Sequence, residues 1–411
     1  MSLVSALYAG VSGLTGNAQA MNIIGDNLAN VNTVGYKSSK AVFSDVFSTV
    51  LNNGATNMQI GHGSKLQNTQ QSFSQGAFSA SNNALDLAID GAGFFVVNPG
   101  NGNIFTRSGQ FRINDAGKVQ DSSRNTLQGF RISAGTTSSS LSDIDLAGVQ
   151  SSPSASTNFT LGANLNAAAT AGTTFTSPIT LYNSVGTQVV LNVSFTKVAG
   201  SNSWRYVAAP SVGSVTSGAS GSISFNTSGQ LSAVNGGALS NLTIGIAYAG
   251  TPAANAQTLT WNLINSSGAS NGKMTGFAAA SNNNSFVQDG YTTGTLLGLA
   301  VDNRGVISGL FNNGQTQQLF QVGLANFLSP TGLTKKGNNL FAESTQSGQP
   351  VIGTATTGGF GSVLGSQLEL SNVDLASEFV TMIQTQQAFQ ASAKIVTTAN
   401  DMLSITTQLV R

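Results

Sequence analysis

The chain has 411 residues, with Lys+Arg 16 against Asp+Glu 15, a formal net charge of +1, and only 8% of its residues charged. A nucleic-acid binder needs a surplus of Lys and Arg to displace phosphate counterions, and this balance supplies none. With Cys 0 and His 1, disulfides, thiolate or multi-histidine zinc sites and a catalytic cysteine are excluded, so no cofactor and no metal is expected.

The N-terminal segment MSLVSALYAGVSGLTGNAQA carries no Lys or Arg, and Ser, Gly, Thr, Asn and Gln interrupt its apolar residues. It does not read as a secretory signal peptide, and no stretch reaches the ~18 uninterrupted apolar residues of a membrane span. The composition is nevertheless extracellular in character, with 48 Gly and many Ser, Thr and Asn; export without a cleaved signal reconciles the two. Leu7, Leu14, Met21 and Leu28 recur every seven residues, flanked by Leu3, Val4, Val11, Ala18, Ile24 and Val31. This predicts a helical seam within residues 1–36. Gly10, Gly13, Gly16 and Gly25 each cost about 1 kcal/mol relative to Ala inside a helix. Small residues let neighbouring backbones approach closely, and both ends of the chain are therefore expected to be disordered in the monomer and to become helical on assembly. The alternative is an ordinary helix bundle inside one subunit. Asp26 is the only charged side chain before Lys37, which spares a crowd of identical copies from like-charge repulsion.

Residues 37–74 read as a polar linker arm, either a compliant connector with a mechanical role or an ordinary one. Beyond it the signals are β. Leu85, Leu87 and Ile89 alternate before Asp90-Gly91; Phe94-Phe95-Val96-Val97, Asn101-Gly102 and Ile104-Phe105-Thr106 follow, a run of short strands joined by tight turns. Further strands are expected at Gln188 to Val198, Trp204 to Ala208, Ser222 to Asn226, Leu242 to Tyr248 and Thr258 to Ile264, at spacings that suit sandwiches or barrels. Polar, turn-rich runs at Gln150 to Phe159 and Ser281 to Ser285 are taken as domain boundaries. They give an outer β domain, residues 146–284, inserted into a discontinuous inner β domain of residues 75–145 plus 285–365.

Residues 366–411 return to helix. Leu375, Met382, Phe389, Val396, Leu403 and Val410 repeat every seven residues, with Phe379 and Ala393 four residues on. After Gly365 there is no Gly or Pro. Ser371 and Asp374 fit the serine-x-x-acid start signal, and the expected helix runs from about Asn372 to Val410. The fold class is thus multidomain and mainly β, with paired long terminal helices resembling a coiled coil that together form one domain.

Several motifs jointly resemble the bacterial flagellar rod and hook family of axial proteins. Leu7-Tyr8-Ala9-Gly10-Val11-Ser12-Gly13-Leu14 and Asp26-Asn27-Leu28-Ala29-Asn30-Val31-Asn32-Thr33-Val34-Gly35-Tyr36-Lys37 are similar to its N-terminal signature. Leu370-Ser371-Asn372-Val373-Asp374-Leu375, Glu378-Phe379-Val380 and Gln387 to Lys394 are similar to its C-terminal one. Gly91-Ala92-Gly93-Phe94-Phe95-Val96 and Phe105-Thr106-Arg107-Ser108-Gly109 resemble its inner β domain. Distal rod members match both ends but lack so large an insertion, so the insertion points to the hook branch. The resemblance implies a non-enzymatic subunit of a curved tube that acts as a universal joint and encloses an export channel. Implied partners are copies of itself, the distal rod, the hook cap, hook-filament junction proteins and the flagellar type III export apparatus, with no nucleic acid and no membrane insertion. The implied location is extracellular.

Features that could pass for sites have plainer readings. His62 has no base partner visible in sequence, and Gly91-Ala92-Gly93 lacks the third glycine of a dinucleotide fingerprint. Asp86, Asp90, Asp115 and Asp121 are read as turn and loop carboxylates rather than an acid pair or calcium site. A secreted β-rich enzyme or adhesin is the competing class, and it would need a convergent acid, base or nucleophile.

Overall fold

A computed structural model of the chain describes residues 3–46, 49–52, 57–249 and 254–409. It is mainly β, with two long helices at its ends, Leu3–Ala29 (α1) and Leu375–Leu409 (α2). The chain divides into two compact units: one of Met1–Gly148, Gly298–Gly309 and Thr316–Arg411, the other of Val149–Leu297 and Leu310–Gln315.

In the first unit, early and late segments pair. Strand Thr316–Asn326 lies antiparallel to Thr126–Ser133, to Phe94–Asn98 and to Val351–Thr354. Ile104–Thr106 joins Phe94–Asn98 to Leu340–Ala342. Two small ladders carry the chain outward: Ser362–Gly365 against Leu87–Asp90, then Gln367–Glu369 against Phe78–Ala80. Phe94, Val96, Phe105, Ala325, Phe327 and Phe341 form the core beneath, with Phe73 edge-on to Phe94 and Phe341 at 5.4 and 5.6 Å. Aromatic edges against faces are favourable beyond the area they bury.

The second unit carries two sheets around one apolar core. The strand Gln188–Lys197 alternates buried and half-exposed positions along its length, the period-2 signature that predicts it. It sits in a five-stranded antiparallel meander from Thr174–Tyr182 to Leu231–Val234. In the other sheet, Asn158–Asn164 pairs parallel with Gln257–Trp261 and antiparallel with Asn282–Gln288. Trp204, Tyr206, Trp261, Phe159 and Phe195 fill the space between them. The run Ser281 to Ser285, expected to be a turn-rich boundary, is instead largely strand. Asn282 to Val287 are exposed on both faces, so no alternation marks them in the sequence; backbone pairing alone holds them in the ladder.

The helices end where local chemistry stops them. α1 closes at Ala29, short of residue 36, where the ladder tightens from i−4 to i−3: Asn30 N is shared between Asp26 O at 3.2 Å and Asn27 O at 3.1 Å, and Val31 N reaches only Leu28 O, at 3.4 Å. α2 starts at Leu375 with Asp374, not Ser371, as its cap: Asp374 Oδ1 accepts from Ala376 N at 2.9 Å and Ser377 N at 3.2 Å. Ser371 Oγ instead accepts Val373 N at 3.3 Å, one turn earlier.

The helices run antiparallel. Added at Gly10, a Cβ would stand 2.9 Å from Val396 Cγ2, and at Gly13, 2.9 Å from Ser392 Oγ. At the other end Asn27 meets Glu378.

Candidate functional site at the root of the two helices

Within the first unit both helices meet the β strands at one place, and the sequence motif Asn27 to Lys37 builds it. Asn27, 1% exposed on the last turn of α1, spends its whole amide. Its Nδ2 donates to Ser39 O at 2.8 Å and Glu378 Oε1 at 3.1 Å, and its Oδ1 accepts Ser39 N at 2.9 Å. One side chain thereby ties α1 to the chain that follows and to the first turn of α2. Asn30 Oδ1 accepts the Thr33 hydroxyl at 3.1 Å to shape the turn. The exposed Asn32 and Ala29 add no such bond.

Gly35 makes the turn possible. Its φ is +69°, and a Cβ there would stand 2.6 Å from Arg107 C and Ser108 N, a close approach that only glycine permits. The Gly35 N–H donates to Glu369 O at 2.8 Å. Tyr36 follows, buried, its hydroxyl donating to Asp26 Oδ2 at 3.0 Å with Asn27 Oδ1 at 3.3 Å. Burial, then the bond to and charge of Asp26, then the charge of Glu378, push the Tyr36 phenol well above its ordinary range. Lys335 Nζ stands 5.3 Å over its ring.

Beneath lies a cluster of buried charge. Lys37 Nζ donates to Glu369 Oε1 at 2.6 Å and Ser74 O at 2.7 Å. Arg107 donates through Nη1 to Glu369 Oε2 at 3.3 Å and through Nη2 to Gly91 O at 2.7 Å. Gly76 N adds a third donor to Glu369, at 2.9 Å. Burial draws both the Lys37 ammonium and the Arg107 guanidinium below their ordinary ranges, with Glu369 pulling the other way. Such a cluster contributes geometry more than net energy. Asn372 completes the root: its Oδ1 accepts Ser38 N at 2.8 Å, and its Nδ2 donates to Ser72 O at 2.8 Å.

The sequence motifs Asn27 to Lys37 and Ser371 to Asp374 thus converge, with Val373 half-buried between Asn372 and the cap. Glu369 and the part played by Arg107 are not legible in sequence, because their partners are hundreds of residues away. The one available signal is scarcity: in a chain with 8% charged residues, a charge flanked by apolar neighbours, as in Leu368-Glu369-Leu370, is worth suspicion.

The seam residues lie along the helices above the root. On α2, Met382, Phe389, Val396 and Leu403 are half-buried; of the positions three residues on, Thr385 and Ser392 are half-buried and Ala399 is buried, and Ala393, four residues after Phe389, is half-buried as well. Leu375 and Phe379 are 43% and 45% exposed. On α1, Gly10, Gly16, Ala20, Ile24 and Asn27 are the buried positions, while Leu7, Leu14, Met21 and Leu28 flank them half-buried. Val410 lies outside the described residues. The acids resolve into turns: Asp121 Oδ1 accepts Ser123 N and Asn125 N, both at 2.8 Å, and Asp86 accepts Asn83 Nδ2 at 3.0 Å. Among the described residues no three His, Cys, Asp or Glu stand together to hold a metal.

The root thus joins both long helices to the β part of the first unit by named hydrogen bonds and buried charge. Four family descriptions match along the chain: "Flagella basal body rod protein" over residues 7–37, "Flagellar hook protein FlgE/F/G D1 domain" over 88–165, "Flagellar basal body protein FlaE D2 domain" over 153–291, and "Flagellar basal body rod FlgEFG protein C-terminal" over 365–409. The flagellar hook protein FlgE of Borreliella burgdorferi is 30% identical over 444 residues, covering 100% of this chain and 99% of that one. That of Salmonella typhimurium is 30% identical over 412 residues, covering 96% and 97%. The crystal structure of Helicobacter pylori flagellar hook protein FlgE2 aligns at a TM-score of 0.46 and 14% identity, over 71% of this chain and 100% of that one. End-to-end identity at this level, with all four family segments in order, places the chain in the flagellar hook protein family.

Proposed function

We propose that this chain, by its family a structural subunit of the flagellar hook, polymerises with its own copies into a curved tube. In that tube α1 and α2 pack as a coiled coil to form the inner wall, and the β units stack outside it. The tube acts as a universal joint passing motor torque to the filament, and its bore is the export channel. The family is structural rather than enzymatic, and the root has hydrogen bonds suited to bearing load.

One observation carries this reading: in the single chain, α2 leaves Phe379, Val380, Ile383, Met402 and Ile405 between 45% and 57% exposed. Each would contribute ~1.5 to 3 kcal/mol if fully buried, and rows of large apolar residues on a helix mark an interaction face. The polar remainder of the helices, with Asp26, Glu378, Lys394 and Asp401 as the charged side chains among their described residues, suits a wet channel wall. The β-unit surfaces, poor in charge, allow axial sliding because a shift of register breaks no strong ion pair. The distal rod, hook cap, junction proteins and type III export apparatus are its further partners, and its site is outside the cell, reached without a cleaved signal.

The test replaces Phe379 or Ile405 by Asp. Both side chains are half-exposed in the single chain, so the subunit should fold and be secreted yet yield soluble monomers in place of tubes under electron microscopy. Normal tubes from both variants would remove the helical faces from the mechanism.

A further inference from the structure

A groove of about 330 Å³ opens beside the root, between the C-terminal half of α1, the start of α2 and the strand Ser39–Asp45. Its floor is apolar, with Ala20 and Ile24 buried there and Phe43 42% exposed at one wall. Its rim is polar, with Glu378, Thr381 and Thr385 of α2 on one side and Ser39 and Lys40 on the other. Glu378 uses Oε1 for Asn27, and Thr381 spends its proton on Ser377 O at 2.8 Å. The α2 side of the rim therefore offers acceptors to a donor that enters above the apolar floor.

The same chain carries a knob of matching chemistry. Val4, Tyr8 and Val11 share one face of α1 by their spacing, and they are 51%, 64% and 44% exposed. Tyr8 combines an apolar ring with a single hydroxyl donor, as such a slot requires. Knob and groove cannot meet within one chain: Tyr8 and Ile24 are sixteen residues apart on the continuous helix α1, about 24 Å at 1.5 Å per residue.

We infer that Tyr8 of one copy seats in the groove of a second copy between α1 and α2, its ring on Ala20 and Ile24 and its hydroxyl donating to the Glu378–Thr381 rim. A contact between two different patches of the same subunit is heterologous, and a heterologous contact that does not close on itself propagates as an open helix. The inference rests on the proposed polymerisation and adds which surfaces meet. It also gives the groove a reason to have acceptors rather than apolar side chains at its rim: they select the aromatic with a donor over the flanking valines.

The chain has Cys 0, so an introduced pair reports cleanly. Tyr8→Cys copies and Thr381→Cys copies are mixed with an excess of wild-type subunits so that assembly is retained, and the tubes are treated with a short bis-maleimide, because a ring that reaches the rim holds the two Cα atoms farther apart than the ~7 Å a disulfide can bridge. The expected result is a covalent dimer joining one copy of each variant on a reducing gel, absent when either variant is used alone. A second readout uses no cysteine: Tyr8→Phe should assemble more slowly than wild type, and Tyr8→Ala more slowly still. Cross-linker-treated tubes without that dimer, or equal assembly rates for all three chains, overturn the inference and leave the hook reading intact. If the wild-type chain itself forms no tubes under assembly conditions, the hook reading fails instead.

Discussion

Lys37 Nζ and Glu369 Oε1 lie 2.6 Å apart with both side chains 0% exposed, although 332 residues separate them in the chain. The pair closes the loop made by nearly the whole protein and fixes the points at which the first helix is left and the second is approached. Among the described residues Glu369 is the only anion paired with both Lys37 and Arg107. Glu369→Gln would keep the shape but strand two buried cations, which costs about 3 to 5 kcal/mol when one partner of a buried pair is lost. In urea unfolding, the transition of the first unit should move to lower denaturant by that amount while the transition of the second unit stays in place. An unchanged first transition would mean that the backbone donors and acceptors around the cluster suffice without Glu369.

Tyr36 gives the root an alkaline limit. Its phenol is raised above the ordinary value of 10 by burial, by Asp26 and by Glu378, so the folded chain keeps a proton that the unfolded chain releases. Above pH 10 the folded state then binds more protons than the unfolded, and stability falls as pH rises toward the folded value. Thermal unfolding of the first unit between pH 9 and 11, the range about the ordinary phenol value, should show this decline. Tyr36→Phe should flatten it while lowering stability at neutral pH through the lost bond to Asp26, by about 1 to 2 kcal/mol. A decline of equal slope in the variant would assign the alkaline loss to other groups.

The helix faces show what periodicity can and cannot reveal. The seven-residue repeat of Met382, Phe389, Val396 and Leu403 marks the half-buried line of α2, because apolar residues recur there without interruption. Their companion line does not follow from hydropathy, since Thr385 and Ser392 cover α1 while the more apolar Phe379 points outward. On α1 the buried line includes Gly10, Gly16 and Asn27, residues that a hydrophobic template scores against. Close backbone approach, not apolar mass, sets that face. The β ladders with alternating burial, such as Gln188–Lys197, are legible; the exposed strand Asn282–Gln288 is not, having no buried side to announce it. The root is half legible: its motif residues are local, but the charges beneath them meet only in three dimensions.

The glycines of α1 separate by environment. A Cβ at Gly25 would meet nothing within 4 Å, whereas one at Gly10 would stand 2.9 Å from Val396 Cγ2 and 3.5 Å from Ser392 O. Gly25→Ala should therefore raise helix stability by about 1 kcal/mol and speed assembly. Gly10→Val should push α2 away and slow assembly despite any gain in local order. Circular dichroism of the secreted subunit and the rate of tube formation, measured together, distinguish the two. If both variants assemble faster, propensity alone governs α1, and close approach at Gly10 has no role.

Asp374 decides where α2 begins and so where the seam is placed against α1. Its Oδ1 takes the N–H groups of Ala376 and Ser377, two of the donors that a helix leaves unsatisfied at its start. Asp374→Ala should cost about 1 kcal/mol and fray the first turn, which holds Glu378 against Asn27 at 3.1 Å. Loss of the cap should thus be felt at the end of α1 as well, as faster amide exchange from Asp26 to Ala29. Asp374→Asn and Asp374→Ser keep a side-chain acceptor at the cap and should restore slow exchange, because it is the acceptor rather than the charge that the position requires. Ser371→Ala, which removes only the bond to Val373 N at 3.3 Å, should leave exchange in both helices unchanged. Equal effects from the Asp374→Ala and Ser371→Ala variants would mean that the start of α2 is set by packing at the root and not by its cap.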